Sequence, residues 1–245
     1  MCRFTLYVGR PVSLDRIVTR PKRSIINQSF DAAMDSPING DGFGVAWYNH
    51  QISPQAGLFR DITPAWNNNN LQRLSEHVVG HCILAHVRAA TAGLPVVQTN
   101  CHPFIMGNYA MMHNGEIGDF SKIRRPLLER LSDEIYNKIE GTTDSEHLFG
   151  LIMQEMKTAR SEHPLERMKE AVTGAYKNLA ELAARYDGQN HSMLNIAFTD
   201  GINVVAVRQI THDRLDARSL FFHVGEDLIV SDRAMEFNSP GTTGA

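Results

Sequence analysis

The chain is poor in cysteine: Cys2, Cys82 and Cys101 are its only three in 245 residues. An odd number without framework spacing excludes a small disulfide-stapled fold and fits a compartment where thiols stay reduced, so no disulfide is expected. No apolar run approaches the ~20 residues of a membrane-spanning helix. An excess of either charge is also missing. With 24 Lys and Arg against 27 Asp and Glu, the formal net charge is -3, which offers no basic footprint for nucleic acid or an anionic membrane. Paired C-x-x-C ligands and an H-E-x-x-H helix are absent, which argues against a zinc site built from His81, Cys82, His86, Cys101 and His102. The stretch Gly40-Asp41-Gly42-Phe43-Gly44 lacks the G-x-G-x-x-G spacing of a dinucleotide fingerprint. No cofactor and no metal are therefore expected. Met1-Cys2-Arg3 leaves no room for a secretory leader, so a cytoplasmic location is expected.

What is present is a 42% hydrophobic chain, enough for a sizeable core, without repeats, low-complexity tracts or linkers. Cys2 to Val8 alternates towards a strand that Gly9-Arg10-Pro11 should end, and Ser13 to Thr19 reads as a short helix. Gly42 and Gly44 predict close backbone approach at the start of a β-prone stretch reaching Tyr48. Asn67 to Asn70 offer an N-cap to a helix carrying Leu71, Leu74 and Val78. A strand from His81 to Arg88 places Cys82, Leu84, His86 and Arg88 on one face, and Gly107-Asn108 joins a hairpin running into His113-Asn114-Gly115. Helices follow over Ile123 to Leu131 and around Ile135 and Ile139. Thr143 and Glu146 form a capping box for the next one, and Pro164 opens a long helix ending by Gly188. Strands resume at Leu194 to Phe198, Ile202 to Val207, Leu220 to Val224 and Leu228 to Val230. Strands, helices and strands again imply one α+β unit over 2–231, with 232–245 as a mobile polar tail.

Chemistry enters at Cys2. Removal of Met1 would leave one residue with both a thiol and a free α-amine, and an amine titrating near ~8 can serve as base to a thiol near ~8.5. Alone, Cys2 reads as a small buried hydrophobe on an apolar strand. A retained Met1 would lock its nitrogen in a peptide bond and silence such a site. A papain-like pairing of a cysteine with His86, His102 or His113 is the rival arrangement.

The ordered set Met1-Cys2-Arg3, His86-Val87-Arg88-Ala89-Ala90-Thr91, Asn100-Cys101-His102-Pro103, His113-Asn114-Gly115 and Thr143-Asp144-Ser145-Glu146 resembles the class II glutamine amidotransferases. Thr19-Arg20-Pro21, Ser24 to Asp31, Asn39 to Val45 and Thr63 to Asn68 further resemble the amidotransferase-like subunits of cytosolic glutathione-degradation (Dug) complexes. The resemblance implies an N-terminal-nucleophile hydrolase fold, a four-layer αββα sandwich. It implies Cys2 as nucleophile, with the Asn114 amide and the Gly115 N–H as oxyanion donors. Arg88 and Thr91 would hold the substrate α-carboxylate and Asp144 its α-ammonium. Arg88 alone would read as a surface ion pair, Asp144 as a helix-dipole carboxylate, and Asn114-Gly115 as turn residues.

The implied activity is hydrolysis of a γ-glutamyl amide, that of glutathione or a related peptide, with a metallopeptidase partner subunit. Alternatives are an ammonia-supplying glutaminase subunit, a γ-glutamyl hydrolase of ergothioneine-type synthesis, and a non-catalytic scaffold. No synthetase domain follows to receive ammonia, which counts against the glutaminase. The Ser-Glu-Pro-Leu-type segment and closing strands of the family are missing after Arg218, so an unpaired sheet edge is expected.

Overall fold

The computed structural model describes residues 2–30, 38–90, 93, 95–186, 188–211, 217–225, 227–230 and 235–238. Strands β1 (Arg3–Ser13), β2 (Phe43–Asn49), β3 (Ser53–Asp61) and β4 (Val79–Val87) form an antiparallel sheet in the order β1-β4-β2-β3. Gly9-Arg10-Pro11 does not end the first strand. The register shifts between Val8 and Val12 and the strand continues, because a bulge on an edge strand tolerates a proline that a central strand would not. Helices α1 (Asp15–Val18), α2 (Ile25–Phe30) and α3 (Asn69–His77) cover one face of this sheet, packing Ile17, Ile26 and Leu71 against Val45, Ile83, Ala85 and Val87. The α3 cap is Asn68, whose Oδ1 accepts from the Leu71 N–H at 2.8 Å.

The second antiparallel sheet runs β5-β6-β7-β8, from β5 (Phe104–Met106), β6 (Tyr109–Glu116), β7 (Met193–Thr199) and β8 (Val204–Ile210). Outside it lie α4 (Phe120–Leu128), α5 (Asp133–Tyr136), α6 (Asp144–Thr158) and α7 (Pro164–Arg185), joined to the sheet through Met111, Phe149, Ile152, Leu182 and Phe198. Between the sheets sit Ala46, Tyr48, Cys82, Leu84, Ala110, Met112 and Ala197. The order of layers is helix, sheet, sheet, helix: the α+β sandwich that the sequence leads one to expect.

Three local expectations change. Leu220 to Val224 is not a strand. The carbonyl of Arg218 accepts from Arg208 Nε and Asn195 Nδ2, both at 3.0 Å, so side chains of β7 and β8 hold the preceding stretch, and Phe221 and Phe222 stand in solvent. The segment expected as a tail, 232–245, contains β10 (Met235–Asn238), paired with β9 (Asp227–Val230); its other members lie outside the described residues. The capping box of α6 is half formed. Thr143 Oγ1 accepts from the Glu146 N–H at 3.2 Å, but the Glu146 carboxylate turns to the N–H groups of Glu140 and Gly141. Among the described residues no helix is long and apolar enough to cross a membrane.

Candidate active site

The two sheets meet at one end of the sandwich around Cys2. Pairing of Arg3 with Val87 carries Cys2 past the end of β4, where its Sγ lies 3.4 Å from both the N and the O of Ala89. From the other sheet, Asn114 Nδ2 donates to the Cys2 carbonyl at 2.7 Å. Gly115 follows, wedged so tightly that a Cβ would overlap the Met193 carbonyl. Only glycine lets β6 run this close to β7 here, so its identity reflects close approach and not a turn.

Arg88 directly precedes Ala89. Its main chain is fixed at both ends, N–H to the Gly42 carbonyl at 2.9 Å and C=O from the Asp41 N–H at 3.1 Å, while Asp41 Oδ2 accepts from the Ala90 N–H at 2.8 Å. The residue is 4% exposed. The guanidinium makes only two 3.4 Å contacts, both with the Pro95 carbonyl, and meets no carboxylate at ion-pair distance among the described residues. A buried fork of five donors so lightly used retains the capacity for a bidentate carboxylate.

Asp144 opens α6. Its Oδ2 accepts from the Ile117 N–H at 2.8 Å and its Oδ1 from the Ser145 N–H at 2.7 Å, so the carboxylate is aimed by the end of β6 and by its own helix. No cation pairs with it among the described residues. Arg88 and Asp144 both act on the Cys2 thiol. Burial pushes that thiol up, the Ala89 hydrogen bond and the Arg88 charge pull it back, and the Asp144 charge raises it. Cys2, Arg88, Asn114, Gly115 and Asp144 are thus gathered at one end of the molecule, and Thr91 lies outside the described residues.

Among the described residues His86, His102 and His113 make no hydrogen bond to a cysteine. His86 and His102 are stacked with ring centroids 4.2 Å apart, and none of their four ring nitrogens makes a well-formed hydrogen bond among the described residues. Burial holds His86 down to about 3 and His102 well below its ordinary value. His113 bonds to Ser145 and to the Met193 carbonyl. No three His, Cys, Asp or Glu side chains among the described residues converge as metal ligands, and all three cysteines are free thiols.

Several supporting residues stand inside the motifs that carry the resemblance, which assign them no role. Arg3 Nη1 donates to the Gln28 carbonyl and to Asn39 Oδ1, fixing the stretch that leads to Asp41. Buried Asn100 donates to the Pro95 carbonyl at 3.2 Å and accepts from the Thr142 N–H at 2.8 Å, tying the loop beside Arg88 to the loop before Asp144. A polar residue flanked by glycines, as Asp41 is by Gly40 and Gly42, is the signal that could have marked it; Asn100, between Thr99 and Cys101, carries no such signal.

The αββα layering with a cysteine at the entrance of its first strand is the architecture of the N-terminal-nucleophile class. Residues 27–237 match the family model described as Glutamine amidotransferases class-II, and the chain belongs to that family. It is 39% identical over 248 residues to the probable glutamine amidotransferase DUG3 of Saccharomyces cerevisiae, covering 94% of this chain and 69% of that protein. It is 29% identical over 135 residues to the gamma-glutamyl-hercynylcysteine sulfoxide hydrolase of Mycobacterium tuberculosis, covering 54% of this chain and 57% of the relative. Among solved structures, a glutamine aminotransferase class-II domain protein from Silicibacter pomeroyi superposes with a TM-score of 0.63 at 29% identity, over 87% of this chain and 79% of that one.

Proposed function

We propose that the chain hydrolyses the γ-glutamyl amide bond of glutathione or a related γ-glutamyl peptide, in the cytoplasm, through a γ-glutamyl thioester on Cys2. The observation that carries this reading is a buried guanidinium that meets no carboxylate and a carboxylate that meets no cation among the described residues, Arg88 and Asp144, at the end of the molecule that holds Cys2. An amino-acid head group brings the two missing charges. Arg88, with Thr91, takes its α-carboxylate and Asp144 its α-ammonium, which leaves the γ-carbonyl to the thiol.

Burial raises the Cys2 thiol, so it is not a ready thiolate and needs a base. With Met1 removed, the Cys2 α-amine takes the thiol proton as sulfur attacks the γ-carbonyl. The oxyanion is held by Asn114 Nδ2, already drawn to the Cys2 main chain, and by the Gly115 N–H; loss of one such donor costs ~10²- to 10³-fold in rate. Collapse breaks the C–N bond and returns the proton to the leaving amine. Water then adds to the thioester, glutamate departs and the thiol is restored.

The choice of a γ-glutamyl peptide is supported by the similarity to a γ-glutamyl sulfoxide hydrolase and by the Dug-like stretches Ser24 to Asp31 and Thr63 to Asn68. A metallopeptidase-type subunit that consumes the released dipeptide is the proposed partner. The test is glutamate release from glutamine, glutathione and a γ-glutamyl sulfoxide, by the chain alone and with the partner, after intact mass has established whether Met1 is gone. Efficient hydrolysis of glutamine with glutathione ignored, and no gain from any partner, would overturn the assignment in favour of a glutaminase.

A further inference from the structure

His113 lies on β6 beside Asn114 but faces the opposite way, into the layer of α6. Its Nε2 is 3.0 Å from the Met193 carbonyl and its Nδ1 is 2.9 Å from Ser145 Oγ. A carbonyl oxygen only accepts, so Nε2 carries the hydrogen. In a neutral imidazole Nδ1 is then a bare acceptor. Burial holds His113 below its ordinary value against the opposing pull of the Asp144 charge and the Met193 carbonyl, which favours the neutral ring.

Ser145 has one hydroxyl proton and two acceptors in reach, His113 Nδ1 at 2.9 Å and Asp144 Oδ1 at 3.2 Å. The tautomer fixed by Met193 commits that proton to the histidine. Asp144 keeps its two main-chain donors, Ile117 and Ser145, and is spared a third. A carboxylate with open lone pairs binds an ammonium better than one already capped by a hydroxyl, because each added donor competes for the same charge.

We propose that His113 is a positioning residue that draws the Ser145 hydroxyl proton away from Asp144 and so keeps the carboxylate open for a substrate α-ammonium. This rests on the reading of Asp144 as the ammonium anchor and adds a device that sets how strongly the anchor binds. His113 touches neither thiol nor substrate, and acts through Ser145 alone.

The experiment compares binding of L-glutamate and glutarate, which differ only in the α-ammonium, to the full chain and its variants. His113→Phe frees the Ser145 hydroxyl to turn to Asp144. It should weaken L-glutamate about tenfold, the size of one charge-assisted hydrogen bond, and leave glutarate nearly as it was. Adding Ser145→Ala to His113→Phe removes the competing proton and should recover most of that loss. A structural role for His113 would weaken both ligands together and allow no such recovery, and either result overturns the proposal. Should His113→Phe fail to fold, the long-range ¹H–¹⁵N spectrum of histidine-labelled wild type decides: Nε2–H with a bare Nδ1 supports the device, and a proton on Nδ1 removes it. Asp144→Asn separates the two layers of the argument. If it leaves the preference for L-glutamate intact, the anchor reading itself fails; if it erases the preference while the His113 variants do not, only the device fails.

Discussion

The two ends of β4 face the same space between the sheets and treat it differently. At one end Cys82 and Leu84 sit among Ala46, Tyr48, Ala110, Met112 and Ala197, and the few polar atoms are matched: Tyr48 donates to the Asn108 carbonyl at 2.9 Å and Cys82 meets Thr199. At the other end the His86 ring nitrogens make no well-formed hydrogen bond among the described residues, with only the His113 main chain pulling on the ring, and the Arg88 guanidinium has only two long contacts. Buried polar groups are ordinarily paired, and leaving one unmatched costs about 1–3 kcal/mol. Leaving buried groups so lightly paired at one end of a strand whose other end is matched is a cost that a binding site would explain, and the proposed nucleophile, Cys2, lies at that lightly paired end.

The largest break in this comparison is Cys2→Ala. The small apolar side chain suits the start of an edge strand, so the fold should persist while glutamate release falls to background, because thiol attack has no substitute. Residual turnover near wild type would remove Cys2 from the mechanism. A glutamine-like electrophile should label Cys2 alone. Burial pushes the Cys82 thiol up to about 12 and raises Cys101, and both are fully buried.

Next in size is Arg88→Lys. The charge survives but the planar fork does not, so KM for γ-glutamyl substrates should rise about 10- to 100-fold, the range expected for one or two charge-assisted hydrogen bonds. Unchanged kinetics with every γ-glutamyl substrate would show that Arg88 is a structural cation after all.

Much of this contrast was legible in the sequence. The alternation of Cys82, Leu84, His86 and Arg88 fixes their common face because a strand has period two, and the chemical change along that face announces the site end. The hairpin at Gly107-Asn108 and the helix starts at Asn68, Thr143 and Pro164 were equally open, since each depends on local turn or cap chemistry. What the sequence hid depends on partners. Leu220 to Val224 has the composition of a strand, but a strand needs a neighbouring edge, and Arg208 and Asn195 hold the preceding carbonyls instead. Glu146 deserts its capping box because the Glu140 and Gly141 N–H groups arrive from outside the helix. Asp41 and Asn100 brace the site through side-chain to main-chain bonds between loops, which no periodicity records.

Acid should expose the same asymmetry. Burial takes His86 from an ordinary 6.5 down to about 3, so between these values the unfolded chain binds a proton that the folded chain refuses. Stability contributed by the neutral ring is complete above pH 6.5 and is lost as pH falls towards about 3. His102, shifted in the same direction, adds to the slope. Urea midpoints measured across this window should drop with pH, and His86→Gln should reduce the slope by about 1.4 kcal/mol per pH unit whatever it does to stability at neutral pH. An unaltered slope would mean that His86 is protonated in the folded state.

The smallest effect is expected at the satisfied end. Tyr48 is fully buried and its hydroxyl closes the sandwich by donating to the Asn108 carbonyl at the β5-β6 turn, with the Thr199 carbonyl 3.5 Å away. Tyr48→Phe keeps the ring and deletes one neutral hydrogen bond. The Asn108 position is at a turn, where water can replace the lost donor, so the cost should be about 1 kcal/mol, or a fall in Tm of about 2–4 °C for a chain of this size. Because Tyr48 sits at the end away from Cys2, kcat/KM should stay at the wild-type value. A Tyr48→Phe protein that lost activity while keeping its Tm would tie the two ends of β4 together mechanically, and the division between a structural and a chemical end would have to be abandoned.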